Sequence, residues 1–104
     1  MAYVARKTMM WAASPDTSVV GYNVYWAIPP AVLDKANPLS NPNMQGVGNV
    51  TQVSLPVPAM PQVNGQMELG VAAVDDVGNI SDIVSAVFQF RFLPPKPPGV
   101  PYLV

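Results

Sequence analysis

A chain of 104 residues with a net charge of −1, 11% charged residues, no cysteine and no histidine is long enough for one domain and too short for two. Half of its residues are hydrophobic, so it can bury a core without a metal or disulfide, and disorder is excluded for most of it. The missing His and Cys exclude Cys/His zinc sites, Ser-His-Asp and Cys-His catalysis and haem ligation by His, and the absence of basic excess leaves nucleic-acid binding without support.

The opening residues, MAYVARKTMMWAAS, carry Arg6 and Lys7 but no apolar block followed by a small-residue cleavage site, so they do not read as a signal peptide. No apolar run is long enough for a transmembrane helix, and no membrane insertion is expected. The setting these features imply is a non-exported or virion-type assembly protein, or an excised extracellular domain. Low charge also weakens self-repulsion, which favours association with other chains.

Thirteen prolines cluster around positions 29–30, 38–42, 56–61 and 94–101, and between the clusters the apolar residues alternate with the period of a strand. Five runs are predicted as strands. The first covers 3–13. The second, 20–28, places Tyr22, Val24 and Trp26 on one face and Asn23 and Tyr25 on the other. The third, 47–55, aligns Thr51, Val53 and Leu55; the fourth, 66–75, aligns Met67, Leu69, Val71 and Ala73. The fifth, 84–93, sets Ala86, Phe88, Phe90 and Phe92 against Val87, Gln89 and Arg91. Turn chemistry separates them at Ser14-Pro15-Asp16, Asn64-Gly65 and Asp75-Asp76-Val77-Gly78-Asn79. Residues 29–46 form the longest stretch without strand character and have room for one short edge strand at Ala31–Lys35. The predicted fold is all-β: two packed sheets over residues 1–93, followed by a proline-rich extended tail or linker over 94–104. The predicted core is Met9, Trp11, Tyr22, Val24, Trp26, Val53, Leu55, Leu69, Val71, Ala73, Phe88 and Phe90.

Trp11 before a Ser-Pro-Asp turn, then Gly21-Tyr22-Asn23-Val24-Tyr25-Trp26, then Val71-Ala72-Ala73-Val74-Asp75 with Gly78-Asn79-Ile80-Ser81, resembles the immunoglobulin-like sandwich of fibronectin type III domains over roughly residues 5–92. The resemblance implies strands B and E in one sheet and C, a short C′, F and G in the other; it implies nothing specific about function, since the fold is a scaffold for many. Three departures stand out. Met67 occupies the place of the tyrosine that forms the family's tyrosine corner. Lys7 falls where strand B would point an aliphatic residue inward. Strand A is short or missing, because the chain reaches Trp11 almost at once. One side of strand B, around Val4, Arg6 and Thr8, is therefore expected to be an unpaired edge, covered by the tail Val100–Val104 or by a neighbouring molecule.

Candidate chemistry is sparse. Asp75, Asp76, Asn79 and Asp82 bunch in one loop and supply the oxygen ligands calcium prefers, but they match no EF-hand spacing and are ordinary turn formers; as an acid–base pair they lack a pocket. The family's Arg-Gly-Asp integrin motif is replaced here by Asp75-Asp76-Val77-Gly78-Asn79. Asn49-Val50-Thr51 and Asn79-Ile80-Ser81 fit the glycosylation sequon, a pattern common by chance. Among the aromatics that could form a glycan or peptide platform, Trp11, Tyr22 and Trp26 read as core and Tyr25 as outward and available for interaction. Pro94 to Pro101 reads as polyproline II, a stiff spacer or assembly arm; its Arg91-x-x-Pro94-x-x-Pro97 pattern for SH3 ligands is compromised by Arg91 lying in a strand. The arm ends in apolar Pro101, Tyr102, Leu103 and Val104, suited to docking into a partner's groove or edge.

The expected function is a non-catalytic structural or assembly module. It would be a subunit or decoration of a larger particle, filament or surface, joined through the exposed strand edge and the arm. The alternative is a protein- or glycan-recognition module appended to an extracellular enzyme or adhesin. A protein partner or self-association is expected; an enzymatic activity, a cofactor, a resident metal or a small-molecule substrate is not.

Overall fold

Alternating apolar residues, broken by prolines and glycine turns, produce seven strands and no α-helix among the described residues. The computed structural model describes residues 3–4, 8–91 and 93–104, with side chains from Thr8 onward. Expectations placed on Arg6, Lys7 and Phe92 lie outside these residues. The strands are β1 (Tyr3–Val4), β2 (Thr8–Met10), β3 (Val19–Ala27), β4 (Met44–Gly48), β5 (Gln52–Ser54), β6 (Asn64–Asp75) and β7 (Val84–Arg91). They build a β-sandwich. One sheet has the order β1-β7-β6-β3-β4, antiparallel except for the short parallel pairing of β1 with β7; the other is the antiparallel pair β2-β5.

The long strand β6 lies at the centre of the larger sheet because it is the chain's longest alternating run. It pairs with β3 from Val19↔Asp75 to Ala27↔Glu68, and with β7 from Asn64↔Arg91 to Val71↔Val84. Registers Val24↔Val71 and Trp26↔Leu69 put these four side chains on the inner face, where Val24, Trp26 and Leu69 join Leu55, Val57, Met60, Met67 and Phe90 in one buried cluster. Met9, Trp11 and Val53, contributed from the side of the small sheet, pack against this core without being sealed by it. Each large side chain in this cluster contributes on the order of 1.5–3 kcal/mol by leaving water.

The proline-rich connection between β5 and β6 plugs one end of the core. Val57 and Met60 are buried within it, and the Met60 N–H donates to Val57 C=O at 2.9 Å. Met67, in place of the tyrosine of a tyrosine corner, is fully buried. A tyrosine hydroxyl serves the backbone elsewhere: Tyr22 Oη accepts the Ser14 N–H at 2.9 Å and pins the β2–β3 connection, with its ring 5.6 Å from that of Trp11.

Several expectations are corrected. The run 3–13 is not one strand: residues 3–4 pair with β7 in the large sheet, and 8–10 pair with β5 in the small one. The run 47–55 also divides between sheets. Gly48, at φ +78°, ends β4, and the chain crosses at 49–51 to begin β5. The short edge strand beside β3 is β4, not Ala31–Lys35. Phe88, expected in the core, is 40% exposed: over 84–88 β7 pairs with β6 on one edge, and no strand among the described residues lies along its other edge. Ala73, Met9, Trp11 and Val53 are only partly buried.

The segment expected to hold an edge strand instead straps the outer face of the larger sheet. Leu33 is buried there with Tyr25, Ala27, Ala72 and Ile83, a second core on the far side of the sheet from the first. Its anchor is Glu68, which points outward from β6 and is nevertheless buried. Glu68 Oε1 accepts the Leu33 N–H at 2.9 Å; Oε2 accepts the Ser85 hydroxyl at 2.7 Å and pairs with Lys35 Nζ at 3.1 Å. The Lys35 C=O in turn accepts the Ile83 N–H at 2.9 Å. Burial pushes the Glu68 carboxyl up, but the Leu33 N–H, the Ser85 hydroxyl and the Lys35 ammonium together outweigh it and hold the group below the usual glutamate range. Gly70 lets the strap lie close: a Cβ there would collide with Ile83 Cγ2 and sit 2.9 Å from Leu33 Cδ1.

Candidate functional site: an open flank and a projecting arm

The strap covers one apolar surface of the sandwich. A second apolar surface, the flank between β2 and β7, has no such cover among the described residues. Its walls are Thr8, Met10, Trp11 and Ala12 on one side and Val84, Phe88 and Phe90 on the other, with Leu55, Leu69 and Val71 as its floor. It forms two hollows of about 360 and 290 Å³, in series along the strands. Met10 is 70% exposed at its lip. The Trp11 indole N–H is buried without an acceptor among the described residues, an unsatisfied donor in the flank's own wall.

The backbone on this flank is also available. The Trp11 N–H donates to Thr51 C=O at 3.0 Å, on the β5 side. Because alternate residues of a strand face opposite edges, the N–H and C=O groups of Thr8 and Met10 face the flank, where β2 has no second strand beside it among the described residues.

The arm begins where the last side-chain tie ends, at the Leu93 N–H donating to Asn64 Oδ1 at 3.0 Å. Residues 94–104 are all exposed and make no hydrogen bond among the described residues. Five of the eleven are proline, which fixes φ and favours the extended polyproline II form. At about 3.1 Å per residue such a segment reaches roughly 34 Å. The molecule measures 70 × 26 × 23 Å, and its radius of gyration of 17.0 Å exceeds the value of about 13 Å typical of a compact chain of this length. The arm accounts for the excess. Tyr102 is 84% exposed and Leu103 fully so. The tail of the chain does not cover the chain's own strand edge.

The individual site expectations fare differently. Val4 pairs in register with Phe90, and Thr8 with Ser54 at the lip of the flank; Arg6 lies outside the described residues. Pro101, Tyr102, Leu103 and Val104 stand exposed on the arm. Tyr25 does not: it is 1% exposed. Alternation placed it correctly on the outer face, but that face is sealed by Leu33 and Ile83, so Tyr25 is no contact residue. Arg91 lies within β7 opposite Asn64, which fixes the backbone an SH3 ligand would need free.

The loop carboxylates are committed to their own loop. Asp75 Oδ1 accepts the Asn79 N–H at 2.7 Å and the Val77 N–H at 3.1 Å, while Oδ2 accepts Asn79 Nδ2 at 3.0 Å. Desolvation raises the Asp75 carboxyl, and the hydrogen bonds from Asn79, Val77 and Gly78 more than reverse it, leaving the group below its ordinary value. Asp16 stands across a shallow cleft from Asp75; bonds from the Ser18 N–H and hydroxyl lower it likewise. Asp76 and Asp82 are exposed, and among the described residues no three acidic, His or Cys side chains converge on a cation site. Of the calcium candidates, Asp75, Asp76 and Asn79 thus form a turn, with Gly78 at φ +90° completing it, and Asp82 lies outside that turn.

Sequence reasoning missed the flank residues Met10, Val84 and Phe88 as contact candidates, and Glu68 as an anchor. Exposed apolar residues facing the partner strand are detectable only once strands are assigned to sheets. A glutamate amid Met67, Leu69 and Val71 was the available signal for Glu68. Comparison with family models, with curated proteins and with solved structures finds no match.

Proposed function

We propose that this protein is a non-catalytic assembly module, a fibronectin type III-like sandwich that joins a larger particle, filament or surface through a strand edge and a projecting arm. The observation that carries the reading is the arm: a stiff segment bearing exposed Val100, Tyr102, Leu103 and Val104 clear of its own body. Apolar side chains held away from any core keep their surface in contact with water, which is unfavourable, and burial against another chain removes that cost. The low charge offers little repulsion against association. The loop carboxylates, bound to their own turns, supply no acid–base pair that would argue for catalysis instead.

Light scattering of the pure protein over a range of concentrations tests this. Mass rising above 11.1 kDa with concentration is the expected outcome. A strict monomer with a mobile arm would overturn it and leave the recognition-module reading, in which the arm serves as a spacer.

A further inference from the structure

We infer that the arm of one copy occupies the flank of a second copy, adding a strand to the edge of β2 that has no neighbour among the described residues, so that copies join head to tail. This inference rests on the assembly reading and specifies its contact.

Four observations converge on that occupant. The flank is apolar and is built around the edge of a strand. The backbone groups of Thr8 and Met10 face it, and an extended chain satisfies such an edge by strand addition. The arm is extended and apolar. Residues 100–104 match the few residues of β2 in length, and their pattern tolerates the proline: when Val100, Tyr102 and Val104 turn their backbone groups to the edge, Pro101, which has no N–H, faces away. No side chain of the pairing stretch 100–104 is charged, and Lys96, the arm's one charged side chain, has the opposite sign to Asp82 in the lining of the second hollow. Finally, residues 94–104 are all exposed rather than folded back, and the prolines at 94, 95, 97 and 98 stiffen the base of the arm, so docking within one copy would require a reversal that these residues resist. The same stiffness presents residues 100–104 to a neighbour. An arm and a flank are different surfaces, so the contact is heterologous, and repetition yields a ring or an open filament.

The test uses two full-length variants. Met10→Glu places a charge at the lip of the flank, and Leu103→Glu places one on the arm; both positions are exposed, so folding, checked by circular dichroism, is expected to be unaffected. Each variant alone should associate about tenfold or more weakly than the unaltered protein. An equimolar mixture should form 1:1 dimers that grow no further, because the intact arm of the Met10→Glu chain enters the intact flank of the Leu103→Glu chain and the other two surfaces are blocked. If either variant misfolds, Val84→Glu or Tyr102→Asp replaces it. Should the unaltered protein assemble and both variants assemble equally well, or the mixture fail to dimerise, the arm-in-flank contact is wrong while the assembly reading stands. A protein that is monomeric throughout overturns both.

Discussion

The outer face of the larger sheet and the flank beside β2 begin alike and end differently. Each is an apolar surface left over when strands pair. On the outer face, Tyr25, Ala27, Ala72 and Ile83 are sealed by Leu33, on a strap that Glu68 fastens through three partners. On the flank, Met10, Val84 and Phe88 are exposed and the Trp11 indole N–H has no acceptor among the described residues. A buried carboxylate and a long connection close the first surface, and among the described residues nothing comparable closes the second. The difference teaches where to look for partners. A surface closed by buried polar bonds belongs to the fold, and one left open among the described residues is where the proposed association would act.

The comparison can be broken or sharpened experimentally. Leu33→Ala should have the largest effect, about 2–5 kcal/mol of lost stability in denaturant unfolding, since it opens a cavity under the strap. A loss under about 0.5 kcal/mol would mean that the strap is not closed in solution. Gly70→Ala should follow at about 1–3 kcal/mol, because the new methyl collides with Ile83 and Leu33 and the strap must lift.

A smaller effect is expected from acid. The Glu68 carboxyl is depressed in the folded state, so its contribution is complete above the ordinary glutamate value of about 4.3 and is lost as pH falls through the lower folded value. Asp16 and Asp75 shift in the same direction, so the Glu68 share is isolated by comparison with Glu68→Gln. The unfolding free energy of the variant should fall less steeply below pH 4.3 than that of the unaltered protein; equal slopes would show that Glu68 is not the anchor. The smallest effect on the monomer belongs to the flank. Met10→Glu should change its unfolding free energy by less than about 0.5 kcal/mol while weakening association. A large loss there would place Met10 in the core and remove the contrast.

How much of this was legible depended on what each residue type reveals. Tyr22, Val24, Trp26, Leu69 and Val71 are large, apolar and alternating, and the inner face read from them is the inner face found. The outer face was illegible because Glu68, Gly70 and Ala72 are charged or small, and periodicity registers only one buried side of a strand. Tyr25 failed for the same reason: its side of the sheet was right, and the cover over that side comes from a connection with no strand pattern. The runs 3–13 and 47–55 looked continuous because a change of sheet leaves the alternation of the side chains almost undisturbed. For residues 94–104 the expectation of an extended arm comes from proline, which constrains its own backbone without help from any contact, and the structure leaves these residues exposed.

The sequence by itself determined the all-β class, the inner face of the central strands and the turn at Asp75–Asn79, because alternation and turn chemistry act through local geometry. Tertiary structure alone decided which sheet each short strand joined, that residues 28–43 would seal the outer face through Glu68, and that among the described residues the flank beside β2 would stay open. Those outcomes depend on contacts between residues distant in the chain, such as Leu33 with Glu68 and Thr8 with Ser54, whose free energy is gained only once the intervening segments have been brought together.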